Sequence, residues 1–176
     1  GYMWFLTQEG VDRYDGKYIK HYNFSDDSIK LDSRIALNWL YMDSGNILWV
    51  IGQKGRIFRY DSQHDKFKLA YIHPELIRNK PQAFLNYGYL DKNDRIWLCY
   101  KDSITWYDIR TGTTLHMPTP VNGEITAIEQ TDSNHFFIGT GNGLFHAGIE
   151  KGKLNIMPDK MVEGIGTSVH ELYYHA

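Results

Sequence analysis

Three aspartates in this chain directly follow a tyrosine: Asp15, Asp61 and Asp108. Carboxylates act as general acids, bases or nucleophiles when two of them converge on a substrate. Here each holds the same place in a recurring phrase, so turn chemistry accounts for all three: an Asp side chain bonds the backbone just ahead of it. The eight histidines show no His-Glu-x-x-His or paired spacing. His170 and His175 are five apart on an expected strand, so they point to opposite faces and cannot readily share a metal. Cys99, the only cysteine, stands where sister phrases carry apolar residues, which suits a buried, inert thiol. Gly139-Thr140-Gly141-Asn142-Gly143 is glycine-rich like a phosphate loop, but it links two apolar strands rather than opening a helix. No residue set has the makings of a catalytic triad. No metal and no cofactor are expected.

Binding is the better prospect. Trp39 and Tyr87 are large aromatics at equivalent places, each four residues before an Asp that opens a turn. Such rings can stack on a sugar; they can also simply line a channel. Arg34, Gln82 and Glu124 lie near the loops that lead into the same strands. Lys54, Lys101 and Asn142 lie in hairpin turns. Planar and charged donors of this kind suit hydroxyl or carboxylate recognition, although ordinary solvated turns carry them too.

The elements that position these residues repeat. The phrase Trp49-Val50-Ile51-Gly52-Gln53-Lys54-Gly55-Arg56-Ile57-Phe58-Arg59-Tyr60-Asp61 has partners led by Trp4, Trp97 and Phe137. A Gly follows the lead aromatic by six residues at Gly10, Gly55 and Gly143, and Ser103 takes that place in the third copy. Each phrase reads as a hairpin: a short apolar strand, a polar turn, then an alternating strand. A further strand follows each hairpin, and one more precedes it at 37–42, 85–90 and 125–130. Trp106 takes the slot of Arg13 and Arg59, which is expected to look outward and to mark a contact with another domain.

The fold class is therefore all-β: about four four-stranded antiparallel units of the size of propeller blades. The units run approximately 1–36, 37–84, 85–124 and 125–164, with 165–176 expected as the inner strand of a next unit. Residues 74–79 could form one helical turn. Both ends of the chain fall at nearly one phase of the repeat. Either the last strand completes the first unit and closes a small ring, or the chain is a fragment of a larger, seven-bladed propeller; the fragment is favoured. In such a ring the loops leading into inner strands and the turns between second and third strands share one face, and the axial end of that face forms the usual pocket.

Composition sets limits. The net charge of −2 gives no basic field for nucleic acid. No apolar run approaches the roughly 20 residues that span a bilayer, so this segment itself is expected to make no membrane contact. Thirteen Tyr, eight Phe and five Trp favour pleated, half-buried surfaces.

The phrase Asp43-x-x-x-x-Leu48-Trp49-Val50, a short turn with Gly, then an alternating strand ending Tyr60-Asp61, resembles the two-component regulator propeller repeat. Phe137-Ile-Gly-Thr-Gly-Asn-Gly-Leu-Phe145 matches its Ile-Gly-Thr-x-x-Gly-Leu core. The resemblance runs through all four units, with Leu6, Ile51 and Cys99 departing from the usual Gly. It implies a periplasmic sensor from a hybrid histidine kinase, whose ligand is an oligosaccharide or other small molecule. It also implies remaining blades and adjoining domains elsewhere in the parent, and signalling as a homodimer. Two alternatives stay open: a propeller enzyme of lyase or hydrolase type, and a protein-interaction scaffold.

Overall fold

A computed structural model describes residues 1–24, 36–74, 84–119, 121, 123–157 and 168–173. These residues form four antiparallel meander sheets. Blade 1 has three strands, β1 (Met3–Leu6), β2 (Val11–Tyr14) and β3 (Ile19–Tyr22). Blade 2 contains β4 (Leu37–Met42), β5 (Leu48–Gly52), β6 (Arg56–Asp61) and β7 (Lys66–Tyr71). Blade 3 contains β8 (Leu85–Leu90), β9 (Arg95–Tyr100), β10 (Ser103–Asp108) and β11 (Thr114–Pro118). Blade 4 contains β12 (Ile125–Gln130), β13 (His135–Thr140), β14 (Gly143–Glu150) and β15 (Lys153–Met157). The chain divides into two compact units, Gly1–Ala83 with blades 1 and 2 and Phe84–Ala176 with blades 3 and 4.

One turn recurs before the lead aromatic. In blade 3, Asp91 Oδ1 accepts the backbone N–H groups of Asn93 and Arg95, both at 2.9 Å. Its other oxygen accepts Trp97 Nε1–H at 2.8 Å and Arg95 Nε–H at 2.7 Å. Blade 2 repeats the device: Asp43 accepts from the Gly45 and Ile47 backbone and from Trp49 Nε1 at 2.8 Å. One carboxylate thus shapes the turn and satisfies the only polar atom of a buried indole. In blade 4 the lead aromatic is Phe137, which has no N–H, and Thr131 stands six residues before it. Its backbone N–H still donates to His135 O at 3.0 Å, as Asp43 does to Ile47 and Asp91 to Arg95. The turn survives with its carboxylate moved one residue on: Asp132 Oδ1 accepts the Asn134 N–H at 2.9 Å and the His135 N–H at 3.0 Å, and there is no indole for it to serve.

The Tyr-Asp aspartates do close turns. Asp15, Asp61 and Asp108 each accept two backbone N–H groups from residues two and three ahead. Those bonds hold the Asp15 carboxyl below its ordinary range, and Lys68, then His64, do so for Asp61. At the third copy's hairpin, Ser103 is not the turn residue: it opens β10, and Lys101 and Asp102 make the turn.

Within the first unit, Val11, Val50 and Phe58 form a buried core flanked by Trp4, Leu6, Leu37, Leu40 and Phe67. Above it, Asp65 ties blade 1 to blade 2. It accepts from Arg13 at 2.9 Å, Lys20, Tyr22 at 2.6 Å and Tyr60. These donors hold its carboxyl well below the usual range, Lys20 foremost. Within the second unit, Trp97, Cys99, Ile104, Trp106, Ile125, Phe136 and Ile138 share one core. Trp106 corrects the outward expectation: it is buried, with its ring 4.9 Å from that of Trp97 and the Arg95 guanidinium 5.1 Å above it. Burying an indole removes far more apolar surface from water than the Arg of that slot does elsewhere. Burial pushes the Cys99 thiol up, which leaves it an inert core residue.

The inner strand expected at 165–176 is not seen in its described part. Residues 168–173 carry no strand. Val169 bonds the end of blade 4 through its N–H to Thr140 O at 3.0 Å, and Thr126 Oγ1 donates to its carbonyl. A ladder needs a partner strand alongside, and among the described residues none pairs with it. The possible helical turn at 74–79 lies outside the described residues beyond Pro74.

Replacing Asp91 by Ala leaves a buried indole N–H and an Arg without their acceptor. We expect a loss of about 2–4 kcal/mol in urea unfolding, against about 0.5 kcal/mol or less for Asp132→Ala, whose carboxylate is exposed and serves no indole. Because the folded Asp61 and Asp65 carboxyls lie below their ordinary pKa, their contribution is complete above about pH 4 and drains away as pH falls below it. The acid limb of a stability–pH profile should therefore flatten in Asp65→Asn; an unchanged limb would contradict the inter-blade tie.

Candidate functional site

The hairpin turn of blade 3, the crossing from β11 to β12 and the hairpin turn of blade 4 come together at one end of the second unit. The turn residues Lys101 and Asp102, the crossing residues Thr119, Val121, Gly123 and Glu124, and the space between them form a cleft of about 330 Å³. Thr119 N–H donates to Asp102 O at 3.0 Å, which pins the start of the crossing to the turn. Val121 drops into the core and fixes its middle. Gly123 has φ +115°, and a Cβ there would lie 3.0 Å from Asn142 Nδ2. Only glycine allows that approach. Asn142 is held in turn: its N–H donates to Thr140 Oγ1 at 3.0 Å, and that hydroxyl donates to Gly143 O at 3.1 Å.

Of the residues singled out from sequence, the structure therefore brings Lys101 and Glu124 into one cleft and sets Asn142 against Gly123 in its wall. Lys101 and Glu124 are exposed and oppositely charged. Asp102 adds a second carboxylate to the cleft wall. Tyr87 lies in the same unit but packs inward. It is half-buried against the core, and its hydroxyl takes a backbone hydrogen bond at Ile128; burial raises its pKa. Tyr89 does the same one step along, accepting Gln130 N–H at 3.2 Å. Both tyrosines thus fasten β8 to the neighbouring inner strand. Trp39 and Lys54 belong to the first unit. Trp39 is half-buried on β4 opposite Ile51. Lys54 sits in a single 3₁₀ turn, Gln53–Gly55, with φ +63°, a left-handed conformation that is uncommon for a residue with a Cβ. Arg34 and Gln82 lie outside the described residues, as does His175.

Trp106 Nε1, Arg95 Nη2 and Gln130 Nε2 are buried without a partner among the described residues, and two further polar groups in that state stand at loops or bulges. Thr119 Oγ1 lines the cleft, is buried, and has no partner among the described residues. Asn86 Nδ2, at a bulge near the start of β8, is likewise buried without one. Asn38 and Thr126 hold the matching bulges of β4 and β12. That recurrence was the available signal: a polar residue second in each inner strand, which reads as scaffold because it repeats. Among the described residues no group of three or more His, Cys, Asp or Glu is placed to hold a metal ion, and no helix is long and apolar enough to cross a membrane.

No family model matches the chain, and no curated protein does. Solved structures do. The extracellular domain assigned to the hybrid two-component system BT3049 of B. thetaiotaomicron superposes with a TM-score of 0.66 at 20% identity, over 89% of this chain and 23% of that one. That of BT4673 from the same organism gives 0.67 at 15% identity, over 98% and 23%. Virginiamycin B lyase from Staphylococcus aureus gives 0.64 at 16% identity, over 91% and 53%. This chain thus spans about a quarter of the length of those ectodomains. At such identities the likeness establishes the fold, a run of β-propeller blades, and the fold hosts sensors and enzymes alike.

Gly123→Ala places a Cβ against Asn142 in a conformation that L-residues avoid. It should cost about 1–2 kcal/mol in urea unfolding, whereas Gly152→Ala, with φ +75° but open space around it, should cost about 1 kcal/mol or less. Equal costs would mean that Asn142 does not press on Gly123.

Proposed function

We propose that this chain is part of the ligand-sensing propeller of a periplasmic receptor of the hybrid two-component kind, and that it reads an oligosaccharide. The segment itself binds rather than catalyses; remaining blades, a membrane anchor and the kinase belong to the parent. The observation that carries this reading is the cleft of the second unit. It gathers a cation, two carboxylates and a hydroxyl without a partner among the described residues, from two loops held by the rigid blades behind them. Hydroxyl-rich ligands are recognised by such sets of donors and acceptors placed on a fixed scaffold. The likeness to two-component ectodomains supports the sensor role. Dimeric signalling, as the resemblance implies, is part of the same proposal.

Calorimetry with a panel of neutral oligosaccharides tests it. At least one should bind the protein, and Lys101→Ala and Glu124→Ala should each weaken it by about tenfold or more, since every 1.4 kcal/mol is tenfold. Both side chains are exposed, so neither change should move the unfolding midpoint. Turnover of the sugar during the titration would favour the enzyme reading instead, and wild-type affinity in both variants would exclude this cleft.

A further inference from the structure

Residues 168–173 carry no strand, yet they are fastened to the end of blade 4 at one point. Val169 N–H donates to Thr140 O at 3.0 Å, and Thr126 Oγ1 donates to Val169 O. The Val169 side chain lies against Gly139, where a Cβ would stand 2.7 Å from Val169 Cγ1 and 3.0 Å from Val169 Cβ. Gly139 is not in the left-handed region, so glycine is there for room rather than for conformation. Leu6, Ile51 and Cys99 fill the same place in the other blades; blade 4 keeps a seat there instead. Among the described residues, Val169 makes the only hydrogen bonds between this segment and a blade.

The two residues that hold Val169 also support the wall of the cleft. Thr140 is fully buried. Its carbonyl takes the Val169 N–H, while its hydroxyl takes the Asn142 N–H at 3.0 Å and donates to Gly143 O at 3.1 Å. Thr126 stands at the bulge where β12 begins, three residues after Gly123. Ile125 pairs with Thr140, so Val169 bridges the start of β12 and the end of β13. A little further along the same two segments Gly123 and Asn142 meet, with Asn142 Nδ2 3.0 Å from the place a Gly123 Cβ would take. The bridge at Val169 and the contact in the cleft wall thus tie the same pair of segments together.

We infer that Val169 is a latch on the cleft. Seated, it holds the start of β12 to the end of β13 and so fixes the approach of Gly123 to Asn142; unseated, it lets the two loops part. Ser168, His170, Glu171 and Tyr173 are exposed, and a segment held at one residue, outside any ladder, opens more readily than the sheets behind it. The cleft has its described shape with the latch seated, so a ligand that fits it favours the seated state. By linkage the seated latch then raises that ligand's affinity by the same factor. This last step rests on the cleft being a ligand site; the latch itself does not.

Amide hydrogen exchange on the whole chain tests it, first without ligand. Val169→Ala empties the seat at Gly139, and Thr126→Val removes the hydroxyl that holds Val169 O. Each should speed exchange of the Asn142 amide by about fivefold or more, while the amide of Ile138, in the buried core, keeps its rate. In the reverse direction Asn142→Ala should speed exchange at Val169 by a like factor. Lys101→Ala, in the cleft but away from the bridge, should leave Val169 unchanged. Wild-type exchange at Asn142 in both latch variants overturns the inference. So does equal acceleration at Ile138, because the whole sheet then opens as one. The second arm uses the oligosaccharide that calorimetry finds to bind best. Saturation should slow exchange at Val169 by about fivefold, and Val169→Ala should weaken binding by a like factor. Unchanged exchange at Val169 in the saturated complex overturns the coupling. If no oligosaccharide binds, the sugar reading falls and the ligand-free exchange still decides the latch.

Discussion

A single carboxylate, placed six residues before a tryptophan, does two jobs on which blades 2 and 3 depend. It bonds the backbone of the turn between the inner and second strands, and it takes the indole N–H of the lead aromatic. Trp97 is fully buried and Trp49 nearly so, and an indole can be buried cheaply only if its one donor is satisfied. Asp43 and Asp91 meet that condition from within the same blade. The turn they shape then sets the register between the first two strands of the sheet. Blade 4 shows the logic from the other side: Phe137 has no donor, Thr131 stands in the place of the Asp, and the turn is bonded by Asp132 one residue on, which touches no ring of the lead aromatic. Asp43 and Asp91 thus each serve a lead Trp, whereas the buried Trp106, which is not a lead aromatic, has its Nε1–H without a partner among the described residues.

This lock leaves the opposite strand ends comparatively free. There the hairpin turns and the crossings need only reach one another, and their residues differ from blade to blade: Lys101-Asp102 in one, Gly141-Asn142 in another. Rigid sheets with divergent loops at one end are a common way to carry binding. The cleft of the second unit is built in that way, with Val121 as the buried anchor of its crossing and Gly123 as the point where two loops nearly touch.

Much of this was legible in the sequence because a period of two along each strand and a repeat across blades are both carried by residue type. The inner strands β4, β8 and β12, the Asp-led turns and the scaffold role of the Tyr-Asp pairs all follow from that periodicity. The buried Trp106 was not legible. In register it matches two arginines, which lie opposite their lead Trp as Trp106 does, and how deeply that shared slot is buried depends on the neighbouring blade, whose packing a single strand does not encode. The same is true of Thr119 and of the Arg13–Asp65 tie. Arg13 and Asp65 are 52 residues apart, and neither recurs with a partner in the other copies. The inner-strand candidates Trp39 and Tyr87 show the reverse case: their shared place suggested a pocket wall, yet the Tyr87 hydroxyl is engaged by the adjacent strand. Grouping of Lys101, Glu124 and Asn142 was foreseeable as a shared face, but the cleft of Lys101 and Glu124 was not, because Gly123 and Val121 decide the path of the crossing.

The central claim is that residues which repeat build the blades and residues which break the repeat, gathered at the free strand ends, bind the ligand. Backbone amide shifts recorded by NMR during titration with a binding oligosaccharide test it most directly. The account predicts shifts concentrated at Lys101, Asp102, Thr119, Gly123, Glu124 and Asn142, with the turns of Asp43 and Asp91 and their tryptophans unmoved. Shifts centred on those Asp–Trp turns, with the cleft silent, would contradict it.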